Sequence, residues 1–259
     1  MTQISLIQID NYGPWTVEPE PRRETDIQAL QSNLYADLCS MFGSRGGLVF
    51  FSRFDNMVAV TDGISEEEHR RVQESVNNRY PVTVSIGVGR GTPREATEEA
   101  TGRLQREGGA QDSSRESSLS FGETGESSTS GTVSSKGHEV QIGHCDIDGV
   151  TRKYTDELDG YESHLRIQEG YTRLARRMWE GHGSLTFFVG GDNFISVASG
   201  LDRHDFDEVI ETVDAFDLKV GVGEGDVPET ASRRAKMGLE RCRETQERVC
   251  YGASVSSTR

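Results

Sequence analysis

Lysine is nearly absent from this chain of 259 residues. Lys136, Lys153, Lys219 and Lys236 are the only four, and every other basic side chain is arginine. Against 28 Lys and Arg stand 43 Asp and Glu, a formal charge of −15. A surface of that sign repels phosphate backbones at long range, which excludes a general nucleic-acid or anionic-membrane binder. GC-rich codon usage would exchange lysine for arginine but would not add acid. Acidity and lysine scarcity together point to a halophile with a molar-salt cytoplasm, where a Debye length of ~3 Å screens the self-repulsion.

Cysteine is also scarce. Cys39, Cys145, Cys242 and Cys250 form no CxxC pair and have no His at metal-ligand spacing, which argues against a structural zinc or a disulfide framework. No run approaches the roughly 20 apolar residues of a membrane span, and the opening MTQISLIQID lacks the charged start and long apolar stretch of a signal peptide. These absences predict a cytoplasmic protein. No GxSxG occurs and no cysteine sits in an activated setting, so covalent nucleophilic catalysis finds no support. Gly87-Val88-Gly89 and Gly221-Val222-Gly223 lack the six-residue GxGxxG frame and read as close strand packing.

What is present is one unit written twice. A Ser/Gly/Glu-rich stretch, 107–138, has no periodicity to pack and reads as a linker or long surface loop between domains at 1–106 and 139–259. On either side the same pattern recurs at an offset of 134 to 137 residues. The strand ISLIQID, ending at Asp10, corresponds to VQIGHCD, ending at Asp146, and each leads through turn residues into an amphipathic helix. Ile27, Leu30, Leu34, Leu38 and Met41 mark the first helix, and Tyr161, Leu165, Leu174 and Met178 the second. The hairpin LVFFSRFDNMVAV aligns without gaps on LTFFVGGDNFISV. A further helix, a Gly-rich strand and a helix opened by Pro93 or Pro228 complete each copy. The expected fold class is α+β, two tandem ferredoxin-like (βαββαβ) palm domains arising from an internal duplication. Such a sheet leaves one face uncovered, to be packed by the other palm of the same chain or by another subunit, so a homo-oligomer is one candidate assembly.

Strand alternation puts Asp10 on one face with Gln8, and Asp146 with His144, while Asp55 and Asp192 occupy the hairpin tips. Each copy thus brings two carboxylates to one sheet edge. Carboxylates that close repel unless a cation lies between them, and Mg²⁺ suits one or two carboxylates plus substrate phosphates. Two such ions would clamp attacking and leaving oxygens in hydrolysis. Any one of these aspartates taken alone reads first as a turn or cap residue; four at matched positions read as metal ligands and as the catalytic set. Asp148 is an optional further ligand or a turn residue. Arg22 and Arg23 stand where a helix begins and oppose its macrodipole, a cost that a bound anion would remove; a solvated arginine pair tied to Glu24 and Asp26 is the equal alternative. Arg53 and Lys153 are further cations beside the aspartates, and Asn11, Asn56 and Asn193 adjoin them as substrate-binding candidates. His69, His138, His164, His182 and His204 fall on polar segments and read as surface residues, leaving His144 facing the candidate site.

The hairpin FFVGGDNF resembles the signature hairpin of diguanylate cyclases and the palm of nucleotidyl cyclases, with Asn193 where the cyclases carry an acid and Ser52-Arg53-Phe54 in place of glycines in the first copy. The tandem arrangement, with QIDNYGPWT (8–16), PRRE (21–24), LYADL (34–38), RFDN (53–56), NRYP (78–81), AQD (110–112) and GGDNF (190–194), resembles the archaeal GTP cyclohydrolase III family across both domains. That resemblance implies GTP as substrate and Mg²⁺ as cofactor, with K⁺ as a monovalent activator. The implied reaction is hydrolytic opening of the imidazole ring with retention of the formyl group. It releases two orthophosphates and gives 2-amino-5-formylamino-6-ribosylaminopyrimidinone 5'-monophosphate for riboflavin and deazaflavin synthesis. The Asn after each hairpin Asp keeps a second class open, a non-catalytic GTP-binding regulatory module, and a nucleotidyl cyclase is the rival within enzymes.

Overall fold

A computed structural model describes residues 1–112, 115–122, 139–147, 158–213 and 217–252. The chain divides into two compact units, Met1–Gly91 with Glu95–His138, and Thr92–Arg94 with Glu139–Arg259.

In the first unit β1 (Thr2–Ile9) leads through a short helix α1 (Tyr12–Val17) to α2 (Glu24–Gly43). The hairpin β2 (Leu48–Arg53) and β3 (Asn56–Val60) follows, then α3 (Glu66–Arg79), β4 (Val84–Gly91), α4 (Pro93–Arg106) and β5 (Leu119–Ser120). The sheet order is β2-β3-β1-β4-β5, antiparallel except for the last pair. One face carries α2 and α3: Leu30, Leu34, Leu38 and Phe42 from the former and Val72 and Val76 from the latter close over Ile7, Ile9, Ile86 and Val88. Helix α3 begins at a capping box, with Ser65 Oγ accepting from the Glu68 amide and the Glu68 carboxylate accepting from the Ser65 amide.

The second unit runs β6 (Val140–Ile147), α5 (Gly160–His182), β7 (Leu185–Gly190), β8 (Asn193–Ala198), α6 (Arg203–Thr212), β9 (Leu218–Gly225), α7 (Pro228–Thr245) and β10 (Val249–Tyr251). Its order, β7-β8-β6-β9-β10, repeats the first, again with a parallel last pair. Both units therefore hold the expected βαββαβ succession plus a fifth strand laid beside the fourth.

Two expectations change. The second sheet face is covered in each unit. Ala96, Ala100 and Leu104 of α4 lie against Gly87 and Gly89, and Ala231, Ala235 and Leu239 of α7 against Gly221 and Gly223. A Cβ at Gly89 or Gly223 would overlap the carbonyl oxygen of Ala96 or Ala231, which is why these strands carry glycine. On α5 the buried face is Ser163, Ile167, Gly170, Leu174 and Met178, while Tyr161 and Leu165 are exposed. Of the stretch 107–138, read as a linker or long surface loop, Arg115–Gly122 are among the described residues. They pack on the first unit, where Ser118 O accepts from the Ile86 amide and Leu119–Ser120 extend the sheet, while 113–114 and 123–138 lie outside the described residues.

Candidate functional site

Asp10 follows the last residue of β1 and is buried. Its Oδ1 accepts from Ser85 Oγ at 2.7 Å and its Oδ2 from Thr83 Oγ1 at 2.9 Å, both hydroxyls lying at the start of β4. Arg115 adds an ion pair, Nε to Oδ1 at 3.3 Å, with the two side chains 1% and 2% exposed. Burial still pushes the Asp10 carboxyl above its ordinary value, outweighing the hydroxyls and the arginine that pull it down. Arg115 Nη1 also donates to Gln8 Oε1 at 2.8 Å, and Gln8 Nε2 donates to Asn56 Oδ1 at 2.9 Å. The hairpin tip is thereby fixed beside β1, where the Ile9 amide donates to the Asp55 carbonyl at 3.1 Å. At the tip Arg53 pairs with Asp55 at 3.1 Å. Tyr12, on α1, is held above its usual pKa by burial first and by the Asp55 charge second.

Asn11 takes a left-handed conformation, φ 52° and ψ 29°, to turn the chain from β1 into α1, a geometry Asn tolerates better than most residues. Two cavities flank this turn. One of about 360 Å³ is lined by Asp10, Asn11, Thr83 and Tyr80; one of about 610 Å³ is lined by Arg22, Arg23, Asp26 and prolines; both include Trp15 and Pro81. The size is that of small-ligand sites. The two arginines divide: Arg22 lies over the Trp15 ring at 4.3 Å and donates to its carbonyl, while Arg23 makes a bidentate pair with Asp26 at the surface. Asn11 Oδ1, Asn56 Nδ2 and Trp15 Nε1 are buried without hydrogen-bond partners among the described residues.

In the second unit Asp146 accepts from Arg243 Nη2 at 3.0 Å, and Arg243 is also paired with Glu240. The Ile147 amide donates to the Asp192 carbonyl at 3.3 Å. Burial, then the charge of Asp146, raises the Asp192 pKa, and Arg243 moderates the rise. His144 Nε2 and Asn193 Oδ1 are 3.0 Å apart, and Asn193 Nδ2 donates to Asp192. His144, Asn193, Lys236 and Arg243 line a cavity of about 430 Å³. Lys153 and Asp148 lie outside the described residues.

The ladders correct one equivalence. Asp146 stands opposite Asn193 on one side and Lys219 on the other, as Gln8 stands opposite Asn56 and Ser85. The register match of Asp146 is therefore Gln8 and not Asp10, and the match of Asp10 falls beyond β6, outside the described residues. A shift of two residues leaves every side chain on its own face, so apolar patterning cannot detect it. The pairs Ile9-Asp10 and Ile147-Asp148 were the available signal. His69 is a second correction: it is buried, bonded to Ser5 Oγ and Ser65 O at 2.8 Å each, with its pKa lowered by burial. Arg243 was legible as a cation seven residues after Lys236 on α7, but Arg115, alone in a Ser-rich stretch, gave no signal.

Among the described residues no three His, Cys, Asp or Glu side chains gather into a metal cage. Each unit instead offers one carboxylate on its central strand or just past its end, Asp10 or Asp146, and one at the adjoining hairpin tip, Asp55 or Asp192; one or two carboxylates suit Mg²⁺ when phosphate oxygens complete the shell. The unsatisfied Asn11 oxygen beside Asp10 is a further hard donor, so the residues present fit such an ion.

The chain is an enzyme of the hydrolase class. It belongs to the GTP cyclohydrolase III family, whose model matches residues 1–254. It is 49% identical to GTP cyclohydrolase III 1 of Halobacterium salinarum over 94% of both chains. It is 44% identical to GTP cyclohydrolase III of Methanocaldococcus jannaschii over 94% of this chain and 88% of that one. Among solved structures, an EAL/GGDEF domain protein from M. capsulatus aligns at TM-score 0.39 and 14% identity, covering 46% of this chain and 88% of its own. A bacterial light-regulated adenylyl cyclase aligns at 0.34 and 10%, covering 96% and 84%. No helix among the described residues is long and apolar enough to cross a membrane.

Proposed function

We propose that the chain hydrolyses GTP, opening the imidazole ring and releasing the outer two phosphates as orthophosphate. The product is the formamidopyrimidine ribonucleotide monophosphate of riboflavin and deazaflavin synthesis. Near-full-length identity of 49% to a relative named GTP cyclohydrolase III carries this reading. The two units are copies of one palm, a duplication supported by their common strand order.

Asp10 and Asp55 in the first unit, and Asp146 and Asp192 in the second, are the residues that would hold Mg²⁺, with Asn11 an added oxygen donor. The bound ion supplies charge against the triphosphate and acidifies water for hydrolysis near neutral pH. The protein's own groups do the rest. Arg22, Arg23 and Arg53 neutralise the phosphates, with Lys153 as a further cation. Asn56 and Asn193 orient the nucleotide, held by Gln8 and His144 respectively. Thr83 and Ser85 fix the Asp10 carboxylate so that its free lone pairs keep one direction. K⁺ acts as a monovalent activator. Each bond broken takes one water and needs no co-reactant.

The test is to incubate the protein with GTP and Mg²⁺ while recording the ultraviolet spectrum and released phosphate. Loss of the purine band with orthophosphate release is expected, and EDTA should stop it and Mg²⁺ restore it. Asp10→Asn or Asp55→Asn should abolish release; wild-type rates in either would overturn the metal assignment. Pyrophosphate with an intact purine would show a cyclase, and no change a regulatory module.

A further inference from the structure

Asp10 has three donors of two kinds. Thr83 and Ser85 are neutral hydroxyls at the start of β4, next to the central strand. Arg115 is charged, and it comes from the chain between the end of α4 at Arg106 and the start of β5 at Leu119. The same stretch covers the turn that follows Asp10. The Ala110 carbonyl accepts from the Asn11 amide at 2.7 Å, and Gln111 Oε1 accepts from the Gly13 amide at 2.6 Å. One strap thus neutralises the carboxylate and occupies two amides beside it.

A buried carboxylate needs a compensating charge, and here the guanidinium provides it with both side chains shielded from solvent and salt. A divalent ion on Asp10 would stand close to that guanidinium, and two cations on one buried carboxylate repel. The second unit differs: Arg243, which pairs with Asp146, has a side chain 44% exposed, is shared with Glu240, and belongs to the long helix α7. Among the described residues, only in the first unit does the cation paired with the carboxylate on or just past the central strand come from outside the helices and have a buried side chain.

We propose that Arg115 is the resident counter-cation of Asp10, and that a divalent ion entering the site takes over this charge and releases the strap from Asn11 and Gly13. The inference rests on the reading of Asp10 as a metal ligand. Arg115 is then the competitor of the ion: it neutralises Asp10 while the site waits for metal, and Thr83 and Ser85 hold the carboxylate in place.

The experiment uses the full chain and Mn²⁺ as the probe, counting bound ions by electron paramagnetic resonance. Asp10→Asn should lose one Mn²⁺ site, and Arg115→Gln should bind at that site at least about tenfold more tightly, since its competitor is gone. In the wild type, hydrogen exchange at the Asn11 and Gly13 amides should quicken when Mn²⁺ is added; this arm needs no variant and stands even where Arg115→Gln fails to fold. Full Mn²⁺ occupancy in Asp10→Asn would overturn both the metal reading and this inference. Loss of a site in Asp10→Asn, with amide exchange in the wild type unmoved by Mn²⁺, would overturn the inference alone. Equal or weaker Mn²⁺ affinity in a folded Arg115→Gln would do the same.

Discussion

Gln8 and Asp146 occupy the same rung of their two sheets, each opposite the Asn that follows a hairpin aspartate. The central residue of the rung is neutral in the first unit and acidic in the second, where Lys219 stands on its other side, and the neighbouring Asp192 registers the Asp146 charge. Burial and the Asp146 charge together lift its pKa. Asp146→Gln should bring the Asp192 pKa down in the metal-free protein, though not to the ordinary range, because burial is the larger cause and remains. Carboxyl-carbon NMR titration reads this directly. An unmoved Asp192 would mean that the two carboxylates do not sense one another.

The glycines of β9 make a packing prediction. Gly223 lies where α7 crosses, and an added Cβ would meet the backbone of both Ala231 and Ala235. Backbone cannot swing aside as a side chain can. Gly223→Ala should therefore cost on the order of 2–3 kcal/mol in urea unfolding, within the range seen for overpacked cores. Gly181→Ala, on α5 with nothing within 4 Å of its new Cβ, is the control and should be neutral or slightly stabilising.

These two rungs and two glycines show how far the sequence carried. Strand alternation, the repeated hairpin and the prolines at helix starts gave both sheets and their order, because each is a local signal with a fixed period. Both fifth strands escaped. Val249–Tyr251 is three residues long, and Leu119–Ser120 two, and so short a strand has no periodicity to read. Aspartates were located by their place at strand ends, which is a property of the chain nearby. Their counter-ions were not, since the Arg115–Asp10 pair depends on where a patternless segment returns after α4.

Asp62, in the connection from β3 to α3, gives a pH prediction independent of the site. It is buried; its Oδ1 accepts from the Gln3 amide at 3.1 Å, and burial pushes its pKa up to about 6. An unfolded aspartate titrates near ~3.9, so the native state holds the proton more tightly. Stability from this group is complete below the unfolded value and is lost as pH rises through about 6. Asp62→Asn keeps the accepting oxygen and removes the charge. It should raise stability by on the order of 2–3 kcal/mol at pH 8 and change it little at pH 4, as thermal melts at the two pH values would show. A gain of equal size at both would assign the effect to packing.

The −15 charge bears on the fold as well as on partners. Several surface arginines are paired with acids one helical turn away, as in Arg70–Glu66, Arg71–Glu67, Arg166–Glu162 and Arg173–Glu169. Each such pair contributes only ~0.3–0.5 kcal/mol, and salt weakens it. The acids in excess of arginine and lysine repel, and salt weakens that too. Because the excess is large and the pairs are weak, screening should stabilise on balance. We expect the Tm to rise between ~0.1 M and ~1 M KCl, as the Debye length shortens from ~10 Å to ~3 Å. Sucrose strengthens burial without screening, so it should not replace KCl at low ionic strength. A Tm indifferent to KCl, or restored in full by sucrose, would remove self-repulsion as the limit on this fold and leave the lysine deficit to codon usage.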